Sequence, residues 1–207
     1  MSGLSFYVID TETNGIKANY HEITEIGIIR CSDRVLLWRN LKCKYPERSS
    51  FDALNITKKT MEDLLHGHDP ADVVATCDKF FNEDGLTPSH RCIICHNVSF
   101  DRRFLHALWQ QEGKAFPANL WLDTISLTKE YAKQIGLIKP KVTLQAACDM
   151  LNIKKSAGMH NAKSDTKNTY LLHKALIEDQ KINYLPFIKT AAHQMVEDER
   201  LDISDLE

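Results

Sequence analysis

Up to about residue 44 the apolar positions of the chain follow the short period of β-strands. Leu4, Phe6 and Val8 alternate with Ser5, Tyr7 and Ile9, which predicts a largely buried first strand whose one face continues into Asp10 and Glu12. Residues 23–31 (Ile-Thr-Glu-Ile-Gly-Ile-Ile-Arg-Cys) and 35–44 predict two further strands. The polar Ser32-Asp33-Arg34 between them is short enough for a hairpin.

The period then lengthens to that of helices. Residues 57–66 and 70–82 have helical spacing, with Thr57 and Asp69-Pro70 as starts and Gly67 as the stop between them. The apolar run 92–95 predicts a buried strand before a helix over 99–113, and 120–122 repeats the pattern before a helix over 124–135. Helices over 143–151 and 162–180 follow, and 183–200 is weakly helical. A meander followed by alternating strands and helices implies an α/β domain with a mixed sheet. The expected organisation is one domain over 1–182 and a C-terminal helical extension with an acidic tail over 183–207.

Charge alters this picture only when it is resolved along the chain. The totals, 26 Lys plus Arg against 28 Asp plus Glu, would argue against an electrostatic nucleic-acid binder. Yet residues 30–48 and 129–155 each hold six basic side chains against two acids, while 197–207 carry six acids and one Arg. The six cysteines are scattered, which favours free thiols and a cytoplasmic setting. The first residues lack the basic start of a signal peptide, and no apolar run reaches the roughly 20 residues of a membrane span.

Four carboxylates stand where the hydrophobic pattern calls for apolar or neutral groups. Asp10 and Glu12 point to the same side of one strand end, where mutual repulsion asks for a cation between them; a solvated strand end is the plainer alternative. Asp101 lies one turn before Phe104 and Leu105 on the buried stripe of its helix, and Asp165 precedes Thr169, Leu172 and Leu176 in the same way. Each acid by itself could be explained by the favourable field at a helix start. Converging on one spot, the four would supply oxygen ligands suited to Mg²⁺ or Mn²⁺. His160, five residues before Asp165 in a loop-like segment, is either a surface histidine or a group placed to take a proton from water.

These residues resemble the DEDDh exonucleases, the DnaQ-like family that includes the proofreading subunit of bacterial replicases. The matching motifs are Asp10-Thr-Glu-Thr-Asn-Gly15, His96-Asn-Val-Ser-Phe-Asp101 and His160-Asn-Ala-Lys-Ser-Asp165, in the family's order over about three quarters of the chain. The resemblance implies an RNase H-like fold with a mixed sheet of about five strands flanked by helices. It implies two divalent cations on Asp10, Glu12, Asp101 and Asp165, with His160 as general base. It further implies release of 5′-nucleoside monophosphates from a 3′ end, preferentially of single-stranded or frayed DNA. By the same resemblance, Thr13, Asn14, Ile16, Ile56, Asn97 and Phe100 match the positions that hold or wedge the terminal nucleotide, with plain core packing the alternative for Ile56 and Phe100. Alternatives are an exoribonuclease on the same scaffold and a non-catalytic nucleic-acid-binding subunit; a proofreading polymerase would be a separate partner.

Other features are set aside. Residues 92 and 95 face opposite sides of a strand, so Cys92 and Cys95 are expected to be buried thiols and not a zinc pair. His96 is taken as a structural residue, Asp123 as a helix N-cap, Glu25 as structural, and Trp38, Trp109 and Trp121 as packing residues.

Overall fold

The computed structural model describes residues 3–156 and 161–190. Six strands form one sheet in the order β3-β2-β1-β4-β5-β6. They are β1 (Ser5–Thr13), β2 (Ile23–Arg30), β3 (Leu36–Asn40), β4 (Arg91–Cys95), β5 (Leu120–Asp123) and β6 (Ile188–Thr190). β1 pairs antiparallel with β2, and β2 with β3, whereas β4 and β5 run parallel to β1. The helices are α1 (Phe51–Thr57), α2 (Pro70–Asn82), α3 (Val98–Gln111), α4 (Thr124–Gln134), α5 (Leu144–Met150) and α6 (Ala162–Lys174). No helix among the described residues is long and apolar enough to cross a membrane.

The strand alternation sorts side chains into two cores. Tyr7 and Ile9 of β1 join Ile26, Ile28, Phe81, Phe104 and Trp109 on the face covered by α2 and α3. Val8 joins Cys92, Ile94, Leu122, Leu127, Cys148, Leu172 and Leu176 on the face covered by α4, α5 and α6. Cys92 and Cys95 thus fall in different cores, and all six thiols are free. Trp109 and Trp121 are fully buried. The β2–β3 turn closes on Arg34, whose φ of 62° is left-handed, with Asp33 accepting hydrogen bonds from Arg30 and from the Val35 N–H.

Two expectations change. The helix over 57–66 is absent. Helical structure begins earlier, where Ser50 caps α1 by accepting from the Ala53 N–H, and it ends at Lys58 with φ 58°. Thr60 and Asp63 then exchange hydrogen bonds around a single 3₁₀ turn over Asp63–Leu65. The expected helix over 183–200 is, in its described part, a 3₁₀ turn over Leu185–Phe187 and the edge strand β6, antiparallel to β5. Here Pro186 and the β-branched Ile188 and Thr190 outweigh a weak helical pattern. With the short β6 added at its edge the mixed sheet has six strands, in keeping with the expected sheet of about five. The acidic stretch 197–207 lies outside the described residues.

Candidate active site

The C-terminal end of β1 carries the site. Asp10 and Glu12 extend the side of β1 that faces α6, and a register shift against β2 falls between Glu12 and Thr13. α6 can lie close over β1 and β2 because position 27 has no side chain. A Cβ on Gly27 would stand 2.2 Å from Thr166 Oγ1 and 2.7 Å from the Ala162 carbonyl oxygen. Asn161 caps α6 by accepting from the Ser164 N–H, so Asp165 sits in the first turn, directed back at the strand end.

Asp10, Glu12 and Asp165 each bring one carboxylate oxygen within 4.8 Å of the other two. Asp101 comes from α3 on the opposite face of the sheet and is 3 % exposed. Its Oδ1 accepts from the Thr11 N–H at 2.9 Å and from the Thr11 hydroxyl at 2.8 Å, which ties α3 to the backbone between the two β1 acids.

Three of the four acids resist ionisation. Burial first, then Asp101, Glu12 and Asp165, holds Asp10 well above the usual carboxylate range. Burial and the charge of Asp165 push Glu12 up to about 8, with Lys59 partly opposing them. Burial raises Asp101 to about 7 despite the two bonds from Thr11. Crowded, partly buried, oxygen-only donors of this kind fit a hard divalent cation, whose charge would relieve the repulsion that the fold has assembled.

Supporting groups surround the cluster. Asn168, 2 % exposed, donates to Asp165 Oδ1 and accepts from the Ser156 N–H at 2.9 Å. His160, the expected general base, lies in 157–160, outside the described residues. Its flanks are anchored, at Ser156 by Asn168 and at Ala162 by Glu25.

The six expected substrate residues divide. Ile16 and Ile56 are 71 % and 52 % exposed and present apolar surface to solvent. Asn97 is exposed at a left-handed φ of 82°, and its own N–H and that of Val98 donate to the Asp123 carboxylate. Phe100 is half-buried, with ring centroid 5.0 Å from that of Phe104. Thr13 and Asn14 are buried: the Thr13 hydroxyl donates to the Gly15 carbonyl, and Asn14 bonds Ser49 and the Glu22 N–H. Those two side chains brace the loop after β1 in this structure and do not open to solvent.

Asp123 caps α4 through the Ile125 N–H, as expected, and also receives the start of α3. His96 is structural, sharing hydrogen bonds with Thr124 Oγ1 at 2.8 Å and with the Val142 carbonyl at 2.7 Å. Thr11, Asn168 and Lys59 were not singled out from sequence. Thr11 and Lys59 act through partners 90 and 34 positions away, pairings that no local pattern encodes, whereas Asn168 lies one helical turn after Asp165.

The sequence profile of the RNase T exonuclease family matches residues 7–173, a span that includes all four acids. The chain belongs to that exonuclease family. It is 27 % identical over 126 residues to a PolC-type DNA polymerase III of Listeria monocytogenes, an alignment covering 60 % of this chain and 8 % of the relative. The chain thus spans under a tenth of that relative's length. Among solved structures, Escherichia coli exonuclease I with a dA16 oligonucleotide superposes with a TM-score of 0.68 at 18 % identity, covering 85 % of this chain and 41 % of that one. The nuclease domain of 3′hExo, a DEDDh family member bound to rAMP, gives 0.67 at 15 % identity, covering 86 % and 94 %. The fold is that of the RNase H-like DEDDh exonucleases, and the acidic cluster lies at its β1 end.

Proposed function

We propose that this exonuclease removes nucleotides from the 3′ end of DNA, using two divalent cations, Mg²⁺ or Mn²⁺, and releasing 5′-nucleoside monophosphates. The convergence of Asp10, Glu12 and Asp165 within 4.8 Å carries the reading, with Asp101 fixed beside them by Thr11. Bound there, divalent cations would supply Lewis-acid stabilisation of charge on the reacting phosphate and its oxygens. Asp10, Glu12, Asp101 and Asp165 are the residues that would hold them. His160 takes the proton from the attacking water, a task suited to a side chain that titrates near neutrality. Ile16 and Ile56 offer apolar contacts that act on any base, so cleavage tolerates sequence and favours unpaired ends.

The similarity to PolC-type polymerases and to an exonuclease crystallised with a DNA oligonucleotide supports DNA as substrate and a polymerase context. An RNA substrate is the second reading, favoured by the rAMP-bound neighbour. Paired DNA and RNA oligonucleotides of one sequence, incubated with Mg²⁺ or Mn²⁺, decide between them: faster loss of DNA is expected, and faster loss of RNA would reverse the assignment. Intact activity in Asp10→Ala or Asp165→Ala would remove these acids from the chemistry.

A further inference from the structure

Glu25 is a fifth carboxylate beside the four acids, itself buried at 7 % exposure, and its oxygens are already engaged. Oε1 forms an ion pair with Lys59 Nζ at 2.7 Å, in which both side chains are nearly buried. Oε2 accepts from the Ala162 N–H at 3.1 Å and from the Trp38 indole N–H at 3.3 Å. Ala162 is the first residue of α6, three positions before Asp165; Lys59 follows the left-handed end of α1, three positions after Ile56. One β2 side chain therefore joins the helix that supplies an acid of the cluster to the helix that presents an exposed apolar contact.

We propose that Glu25 and Lys59 form a positioning strut, in which Glu25 holds the first turn of α6 so that Asp165 meets Asp10 and Glu12, and Lys59 locks α1 to the same point. This rests on the metal-dependent nuclease reading and assigns the pair to alignment, not to cation binding. An orphan N–H at the start of a helix needs an acceptor, and Glu25 meets that need through Oε2 while its other oxygen, Oε1, holds Lys59. The Lys59 ammonium also opposes the negative potential of the cluster at Glu12, so the two members of the strut act on a bound cation with opposite sign.

The test is Mn²⁺ binding by calorimetry without nucleic acid, together with kcat and KM on a single-stranded DNA oligonucleotide. Glu25→Ala frees the Ala162 N–H and should weaken Mn²⁺ binding about 10-fold and lower kcat at saturating Mn²⁺. Glu25→Gln removes the same charge but keeps an oxygen acceptor, so it should recover Mn²⁺ binding to within about threefold of wild type. Lys59→Met should bind Mn²⁺ at least as tightly as wild type while raising KM, because α1 loses its tie. Merely structural damage would lower the melting temperature of the variants without opposite shifts in Mn²⁺ affinity. Wild-type Mn²⁺ affinity in folded Glu25→Ala would overturn the strut; should that variant not fold, weakened Mn²⁺ binding by Lys59→Met would overturn it. Failure of the wild-type protein to bind Mn²⁺ would overturn the nuclease reading itself.

Discussion

Replacing Gly27 by Ala tests how closely α6 must approach the sheet. The added Cβ would lie 2.7 Å from the Ala162 carbonyl oxygen and 2.2 Å from Thr166 Oγ1. Thr166 can rotate, although its hydroxyl would then give up its bond to the Ala162 carbonyl; the Ala162 backbone cannot move aside without moving the helix. Restoring an ordinary contact of about 3.4 Å from 2.7 Å requires the first turn of α6 to retreat by roughly 0.7 Å. Asp165 lies in that turn, so the displacement is passed on to the carboxylate cluster. Overpacking of this kind costs about 1–3 kcal/mol, or roughly 2–10 °C in melting temperature for a domain of this size. A misplacement of nearly 1 Å at a reacting centre lowers the rate by about 10- to 100-fold. The assay is a thermal melt alongside kcat on a labelled single-stranded oligonucleotide at saturating Mn²⁺. Adding Thr166→Ala should restore only part of the loss, since the clash with the Ala162 carbonyl remains. Wild-type stability and kcat in Gly27→Ala would refute the close approach of α6 as the source of the geometry.

Three further outcomes follow from the same structure. Because the Glu12 pKa is raised to about 8, the folded state binds the proton more tightly than the unfolded chain, and metal-free stability at this residue falls as pH rises from about 4.5 to 8. In EDTA, Glu12→Gln should therefore gain stability over wild type as pH rises through that window, reaching at most a few kcal/mol, and added Mn²⁺ should reverse the order; a pH-independent gap would contradict it. Arg91, 1 % exposed, bonds Asp84 and the carbonyls of Leu86 and Pro117, so Arg91→Ala should cost about 3–5 kcal/mol and lower the melting temperature by roughly 10 °C, with a shift below 3 °C contradicting it. His160→Ala should lose most of kcat while calorimetry shows Mn²⁺ binding retained; lost Mn²⁺ binding would make His160 a ligand.

The parts of the fold legible in sequence were those written in local periodicity. The alternation of β1 placed Asp10 and Glu12 on the α6 side, and the apolar stripes of α3 and α6 turned Asp101 and Asp165 inward. Elements specified by caps or by remote pairing were not legible. The Ser50 cap moved α1 ahead of its expected span, and β6 became a strand by pairing with β5 some 68 positions earlier, where Leu120 faces Thr190 and Leu122 faces Ile188. In the site, the acids were visible because carboxylates on an apolar stripe are anomalous. Glu25 drew less attention because it sits in a strand among buried neighbours, and its value depends on Lys59 and Ala162, each distant in sequence.

The most direct measurement uses one single-stranded DNA oligonucleotide, labelled at the 5′ end in one sample and at the 3′ end in another, with Mn²⁺ or EDTA, comparing wild type with Asp165→Asn. The expected result is a descending ladder from the 5′-labelled strand and immediate mononucleotide from the 3′-labelled strand, only with Mn²⁺ and only for wild type. Degradation that persists in EDTA, survives Asp165→Asn, or releases the 5′ label first would contradict a cation-dependent 3′ exonuclease built on these four acids.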